Sequence, residues 1–125
     1  RQMCIRDRLW RDMRFGDQVC RPEELGDVIL GRKDCAASYH IAVVVDDAAQ
    51  GVTHVSRGED LFPVTGIHRT LQALLGLPVP QWYHHRLVKD ASGKRLAKRD
   101  RSLSLQEMRA AGMRPEDVFR LMRES

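Results

Sequence analysis

The stretch YHIAVVVDDAAQGVTHVSRGEDL (residues 39–61), continued after three residues by TGIHRTLQALLGLPVPQWYHH (residues 65–85), decides the fold class of this chain. Its opening is apolar and β-branched, so residues 41–45 read as a buried strand that Asp46 and Asp47 end. After Gly51, residues 52–55 alternate as a second strand, closed by Arg57 and Gly58. The period then changes. Ile67, Leu71, Leu74 and Leu75 fall at i, i+4, i+7 and i+8, one face of a helix running from Pro63 or Thr65 to Leu75. Gly76 stops that helix, and Pro78 and Pro80 prevent its continuation. Residues 82–88 read as a third strand or extended piece. Strands alternating with helices make an α/β pattern.

Upstream of this stretch, Pro22-Glu23-Glu24 looks like a helix start, followed by the apolar Leu25, Val28, Ile29 and Leu30. RQMCIRDRLWRDMR (residues 1–14) has neither signal-peptide architecture nor clear periodicity, and is expected to be a ragged or non-native segment. Downstream, Ser92-Gly93 is a turn, and Ser104 with Glu107 three residues on forms a capping box. The helix it opens ends near Ala111 at Gly112, and Pro115-Glu116-Asp117 starts a last helix through Met122.

The 125 residues, 42% hydrophobic and 30% charged, suit one globular unit or a piece of one. No apolar run approaches the roughly 18 residues of a membrane span. Cys4, Cys20 and Cys35 are odd in number and widely spaced, which excludes a disulfide framework and a CxxC zinc knuckle. Such usage suits a reducing compartment, and a cytoplasmic location is expected.

Charge is unevenly placed. Residues 1–85 hold ten Lys/Arg and eleven Asp/Glu, whereas residues 86–101 hold seven basic and two acidic residues, net +5. Residues 102–125 hold four of each. The excess of +4 therefore belongs to one 16-residue stretch, RLVKDASGKRLAKRDR, whose field is able to hold phosphates.

Three clusters carry the candidate chemistry. Tyr39 and Arg57, the latter followed by Gly58-Glu59-Asp60, are expected at strand ends, where open α/β sheets place ligands. There a guanidinium offers a fork to a carboxylate and a phenol completes the cage, unless Arg57 merely pairs with Glu59 or Asp60 at the surface. Gly93–Asp100, GKRLAKRD, is a glycine-led cationic loop suited to a triphosphate; the Walker spacing is absent, and idle surface or nonspecific RNA affinity is its alternative. The histidines 40, 54, 68, 84 and 85 show no metal-ligand spacing, and His84-His85 beside Trp82-Tyr83 are expected to line a pocket. Adjacent Asp46 and Asp47 are read as a cap or turn, because neighbouring strand residues point to opposite faces.

Together residues 39–61, 65–85 and 93–100 closely resemble the class I glutamyl-tRNA synthetase catalytic core, a likeness running from about Gly26 to about Met122. The resemblance implies an α/β fold: the C-terminal half of a class I synthetase Rossmann-like nucleotide-binding fold, followed by short helices. It divides the chain into the ragged residues 1–14, a partial catalytic core with the ATP loop over 15–101, and a helical segment over 102–125. It also implies a chemistry, in which glutamate's α-carboxylate attacks the α-phosphate of ATP, held with Mg2+, and the glutamyl group then passes to tRNA.

On this resemblance Tyr39 and Arg57 bind the glutamate substrate, and Arg95, Leu96, Ala97, Lys98 and Arg99 match the family's "KMSKS" ATP loop. Lys98, with Arg95, takes the catalytic part of neutralising charge developing on the phosphates. Arg95 stands where lysine is frequent and Ala97 where serine is frequent; the charge is kept and one hydroxyl contact is lost. The family's "HIGH" motif, with its ATP-contacting histidines and an arginine and an acid on the amino acid, is not in this sequence. The chain is therefore expected to be a partial core that makes no adenylate alone.

The sequences GRKDCAASYHIAVVVDDAAQGVTHVSRGEDL and LQALLGLPVP lean towards the family's shortened paralogue, which glutamylates queuosine in the anticodon of tRNA(Asp). That paralogue's zinc-binding cysteine cluster is absent, so no metal ligands are expected here. The partners implied are glutamate, ATP and tRNA, specifically tRNA(Asp), with no membrane and a monomeric full-length protein. Two alternatives stand beside it: a fragment of a discriminating synthetase charging the tRNA 3′ end, and a non-catalytic tRNA- or nucleotide-binding remnant.

Overall fold

The computed structural model describes residues 7–89 and 104–124. The chain divides into two units, Arg1–His85 and Arg86–Ser125. In the first, four strands form one sheet: β1 (Arg8–Asp12), β2 (Gly16–Cys20), β3 (His54–Gly58) and β4 (Gln81–His85), in the order β2-β1-β4-β3. A hairpin joins β1 and β2 antiparallel, with Arg8 opposite Cys20 and Asp12 opposite Gly16. Gly16 follows the hairpin turn at φ 76, a backbone state that glycine adopts without steric cost. β4 runs parallel to both β1 and β3, with His54 opposite Gln81 and Gly58 opposite His85. The crossover from β3 to β4 is helix α2 (Thr65–Leu75), entered through a 3-10 turn at Glu59–Leu61. Helix α1 (Tyr39–Ala49) packs against α2.

Helix α2 has the bounds its periodicity implies. Gly76 takes the left-handed conformation (φ 66, ψ 29) at its C-terminus, and Leu77 donates its N–H back to the Gln72 carbonyl. Gly66 has a different reason to be glycine. A Cβ there would lie 2.8 Å from Cys20 Sγ and 3.3 Å from Leu25 Cδ2, so α2 seats on β2 only without a side chain at this point. Gly66→Ala should therefore overpack this contact and cost about 1–3 kcal/mol, read as a lowered thermal midpoint of the chain.

The core lies on one face of the sheet. Trp10, Cys20 and Trp82 are buried, with Leu25, Val55 and Phe62 packed around them. Trp10 meets Trp82 edge-on with ring centroids 5.4 Å apart, and Phe62 at 5.2 Å. Strand alternation sends Trp82 and His84 of β4 inward and Gln81, Tyr83 and His85 outward. On β1 it sends Trp10 and Asp12 inward. Two polar side chains thus share the face that carries the tryptophans.

Three expectations change here. Residues 41–45 are helical, not a strand: α1 starts after Ser38, whose backbone is extended, and continues to Ala49 with Asp46 and Asp47 inside it. A five-residue apolar run cannot be told from a buried helical turn by periodicity, and the alanines at 42, 48 and 49 extend it as helix. Tyr39 consequently occupies the first turn of α1 and not the mouth of a strand. Second, residues 8–14 are not ragged; they build β1 and its turn in the sheet interior, with Trp10 in the core. Third, Pro22–Glu24 is one 3-10 turn rather than the start of a longer helix. The strand expected over 52–55 is β3, two residues further on, and that expected over 82–88 is β4, which ends at His85.

In the second unit, α3 (Leu105–Ala110) carries the capping box: Glu107 N–H donates to Ser104 Oγ at 3.2 Å, and Ser104 N–H donates to Glu107 Oε2 at 2.8 Å. Helix α4 spans Pro115–Glu124. The cationic loop at 93–100 lies outside the described residues.

Candidate functional site

Register places Arg57 of β3 directly opposite His84 of β4, both inward-facing. Arg57 Nε donates to His84 Nε2 at 3.0 Å. Its Nη1 donates to His68 Nδ1 at 2.9 Å, and its Nη2 to Thr65 Oγ1 at 2.5 Å. Thr65 and His68 reach this spot because α2 begins directly over the C-terminal end of β3. Tyr39 meets His68 edge-on with ring centroids 5.7 Å apart, and its side chain hydrogen-bonds to the guanidinium. The structure thus brings Tyr39 and Arg57, distant in sequence, to the two sides of one imidazole.

Burial is lopsided. Arg57 is 9% exposed, His68 2% and Thr65 0%, whereas Tyr39 is 52% exposed. Among the described residues no carboxylate forms an ion pair with Arg57; Glu59 pairs with Arg14 at 2.8 Å instead. A buried cation whose only hydrogen-bond partners are neutral is costly unless an anion completes it. Three of its five N–H groups are committed to fixed acceptors; of the two that remain, one on each terminal nitrogen, the Tyr39 side chain draws on the guanidinium and no carboxylate among the described residues does. That is the donor set of a carboxylate receptor.

Electrostatics agree. Burial draws the Arg57 pKa below its usual value, while Tyr39, Asp47 and Asp12 favour its charged form. Burial, and then the positive charge of Arg57, push His68 from 6.5 down to about 3, so its ring is neutral at pH 7. His68 Nδ1 accepts from Arg57, so Nε2 carries the proton and donates to His40 Nδ1 at 3.0 Å. His84 is likewise lowered by burial, against the pull of Asp12. Burial raises Asp12, but hydrogen bonds from His84 and from the backbone of Phe15 and Arg14 outweigh it and lower its pKa. Asp47 is raised, chiefly by burial.

The lowered pKa of His68 has a sign. Between pH 6.5 and about 3 the unfolded imidazole binds a proton that the folded one refuses. Stability therefore falls as pH drops through this window, by up to about 1.4 kcal/mol per pH unit from this group. Urea denaturation of the wild-type chain between pH 7 and pH 4 should show that slope. His68→Gln, which keeps an acceptor for Arg57 without a titrating ring, should flatten it.

The other expected residues fall as follows. Arg95, Leu96, Ala97, Lys98 and Arg99 lie outside the described residues. His84 is fully buried against Arg57 and lines no open pocket, His85 faces outward on β4, and His54 bonds to Thr53 at 3.0 Å. Cys35 is exposed and Cys20 sits in the core. Among the described residues no group of three or more His, Cys, Asp or Glu is arranged to hold a metal ion. Sequence reasoning gave no site role to Asp12 or Thr65 and weighed His68 only as a metal ligand. The one signal for Asp12 was its spacing from Trp10, which matches that of His84 from Trp82.

Comparison with known proteins bears on this site. The family model for the catalytic domain of class I tRNA synthetases (E and Q) matches residues 3–124. A glutamyl-Q tRNA(Asp) synthetase of Rhodobacter capsulatus is 58% identical over 106 residues, which are 82% of this chain and 38% of that protein. The protein of that name from Deinococcus radiodurans is 40% identical over 120 residues, 94% of this chain and 39% of its own length. The crystal structure of glutamate-tRNA synthetase from Elizabethkingia anophelis superposes with a TM-score of 0.65 at 31% identity, over 76% of this chain and 19% of that one. The chain thus spans less than two-fifths of the length of these curated relatives.

Proposed function

Because the chain belongs to the family of class I glutamate and glutamine tRNA synthetase catalytic domains, we propose that it forms part of an enzyme that activates glutamate with ATP and transfers it to tRNA. Arg57 takes the side-chain carboxylate of glutamate, and Tyr39 closes the exposed side of the same pocket. The α-carboxylate then attacks the α-phosphate of ATP; a carboxyl–phosphate bond forms and the bond to pyrophosphate breaks. Lys98 and Arg95, in the ATP loop with Leu96, Ala97 and Arg99, balance the charge that moves onto the leaving pyrophosphate. The acceptor is the queuosine of tRNA(Asp). The completed protein is a cytoplasmic monomer, and these 125 residues by themselves make no adenylate.

One observation carries this reading: a buried guanidinium, held by His84, His68 and Thr65 and touched by Tyr39, that no carboxylate among the described residues pairs with. Support for the queuosine acceptor is the name shared by the relatives that match at 58% and 50% identity. The test is thermal denaturation of the chain with a non-hydrolysable glutamyl-adenylate analogue, which should raise the midpoint in proportion to ligand occupancy. Pyrophosphate exchange by the same preparation should stay at background. In a protein that completes this core, labelled glutamate should pass to tRNA(Asp) with queuosine and not to the unmodified form. Transfer to both would favour charging of the 3′ end.

A further inference from the structure

The deepest part of the cluster lies behind Arg57. Asp12 and His84 are both 0% exposed. His84 Nε2 accepts from Arg57, a group that only donates, so the His84 proton sits on Nδ1 and is donated to Asp12 Oδ2 at 2.5 Å. The other oxygen, Asp12 Oδ1, accepts the backbone N–H of Arg14 at 2.8 Å and of Phe15 at 2.9 Å. The carboxylate is thereby locked in orientation by the β1–β2 turn, and the imidazole is locked in tautomer by the carboxylate.

We propose that Asp12 and His84 are positioning residues for Arg57: the carboxylate selects the His84 tautomer that accepts Arg57 Nε–H, and this aims the two remaining terminal N–H groups at the substrate carboxylate. Neither residue touches substrate. The arrangement spans three strands and 72 residues of sequence, and its role rests on the glutamate reading of Arg57. A chain of this kind orients a working side chain through the one behind it.

Asp12→Asn discriminates this role from simple packing. The variant is almost isosteric, but Asn has only one acceptor oxygen. The Arg14 and Phe15 N–H groups claim it, so the amide NH2 must face His84 Nδ1. The imidazole proton then moves to Nε2, where it meets Arg57 Nε–H donor to donor.

The experiment is 15N NMR of the side chains of the whole chain, with and without the glutamyl-adenylate analogue. Wild-type His84 should show a protonated Nδ1 and a bare Nε2, and Arg57 Nε–H should exchange slowly. A protonated Nε2 in the wild type overturns the proposal without any variant. Asp12→Asn should switch the tautomer, speed Arg57 Nε–H exchange and weaken the analogue about tenfold or more. In a His84→Met background no tautomer or amide flip can pass the change on to Arg57, so the same Asp12→Asn change should leave the affinity for the analogue unmoved. An equal effect in both backgrounds would make Asp12 structural only and sink the idea. If the tautomer switches as expected but the wild type never binds the analogue, positioning stands and the glutamate reading fails. If the analogue binds both forms equally, positioning fails alone.

Discussion

Arg57→Ala should abolish the stabilisation that a glutamyl-adenylate analogue gives the wild-type chain, with a loss of affinity of about 100-fold or more. Hydrogen bonds to a charged group contribute about 1.5–3 kcal/mol each, and the two remaining terminal N–H groups of Arg57 supply a pair of them. Arg57→Lys should recover little. An ammonium keeps the charge, but it cannot reach His84, His68 and Thr65 together while still presenting two parallel donors. Calorimetric titration of the three proteins with the analogue reads this directly. Equal affinities would remove Arg57 from the site, and Tyr39, which faces it across His68, with it.

The second large effect concerns the platform on which Arg57 stands. Trp82 is 1% exposed and lies between β1 and β3, edge-on to Trp10. Trp82→Ala should cost about 3–5 kcal/mol. Domains of this size hold only about 5–15 kcal/mol in all, so the variant should be largely unfolded in mild urea. Tyr83→Ala, one residue on but facing outward with 42% exposure, should change stability far less. Urea midpoints for the pair test the inward and outward alternation of β4; equal losses would contradict it. The same alternation places His84 beside Arg57, so the comparison tests site geometry as well.

How much of this was legible in the sequence depended on whether the signal was local. Helix α2 was readable because an apolar stripe, a left-handed glycine and two prolines all act between Ile67 and Pro80. The Ser104 capping box was readable for the same reason. Helix α1 was misread because Ile41, Val43, Val44 and Val45 favour strands intrinsically, and only packing against α2 shows which period they serve. Strand β1 was missed because an inward-facing position holds an aspartate, which hydrophobic patterning scores as surface.

The site divides in the same way. Tyr39 and Arg57 stood out as a cluster in the sequence, their glutamate role came from a family resemblance, and the structure adds their shared neighbour, His68. The resemblance said nothing of Asp12, since its meaning arises only when β1 pairs with β4 and sets it against His84, far along the chain. His68 was equally silent: one histidine among five acquires a role only once α2 is seated over β3.

The claim under all of this is that a buried guanidinium, which no carboxylate among the described residues pairs with, takes one from the substrate. Titrating the wild-type chain calorimetrically with two adenylate analogues, one glutamyl and one glutaminyl, tests it most directly. The ligands differ in one side-chain group, an anionic carboxylate against a neutral amide. The glutamyl form should bind and the glutaminyl form should bind at least about tenfold more weakly, because the amide brings no charge to Arg57 and presents one acceptor instead of two. Equal binding of both, or a preference for the amide, would contradict the account.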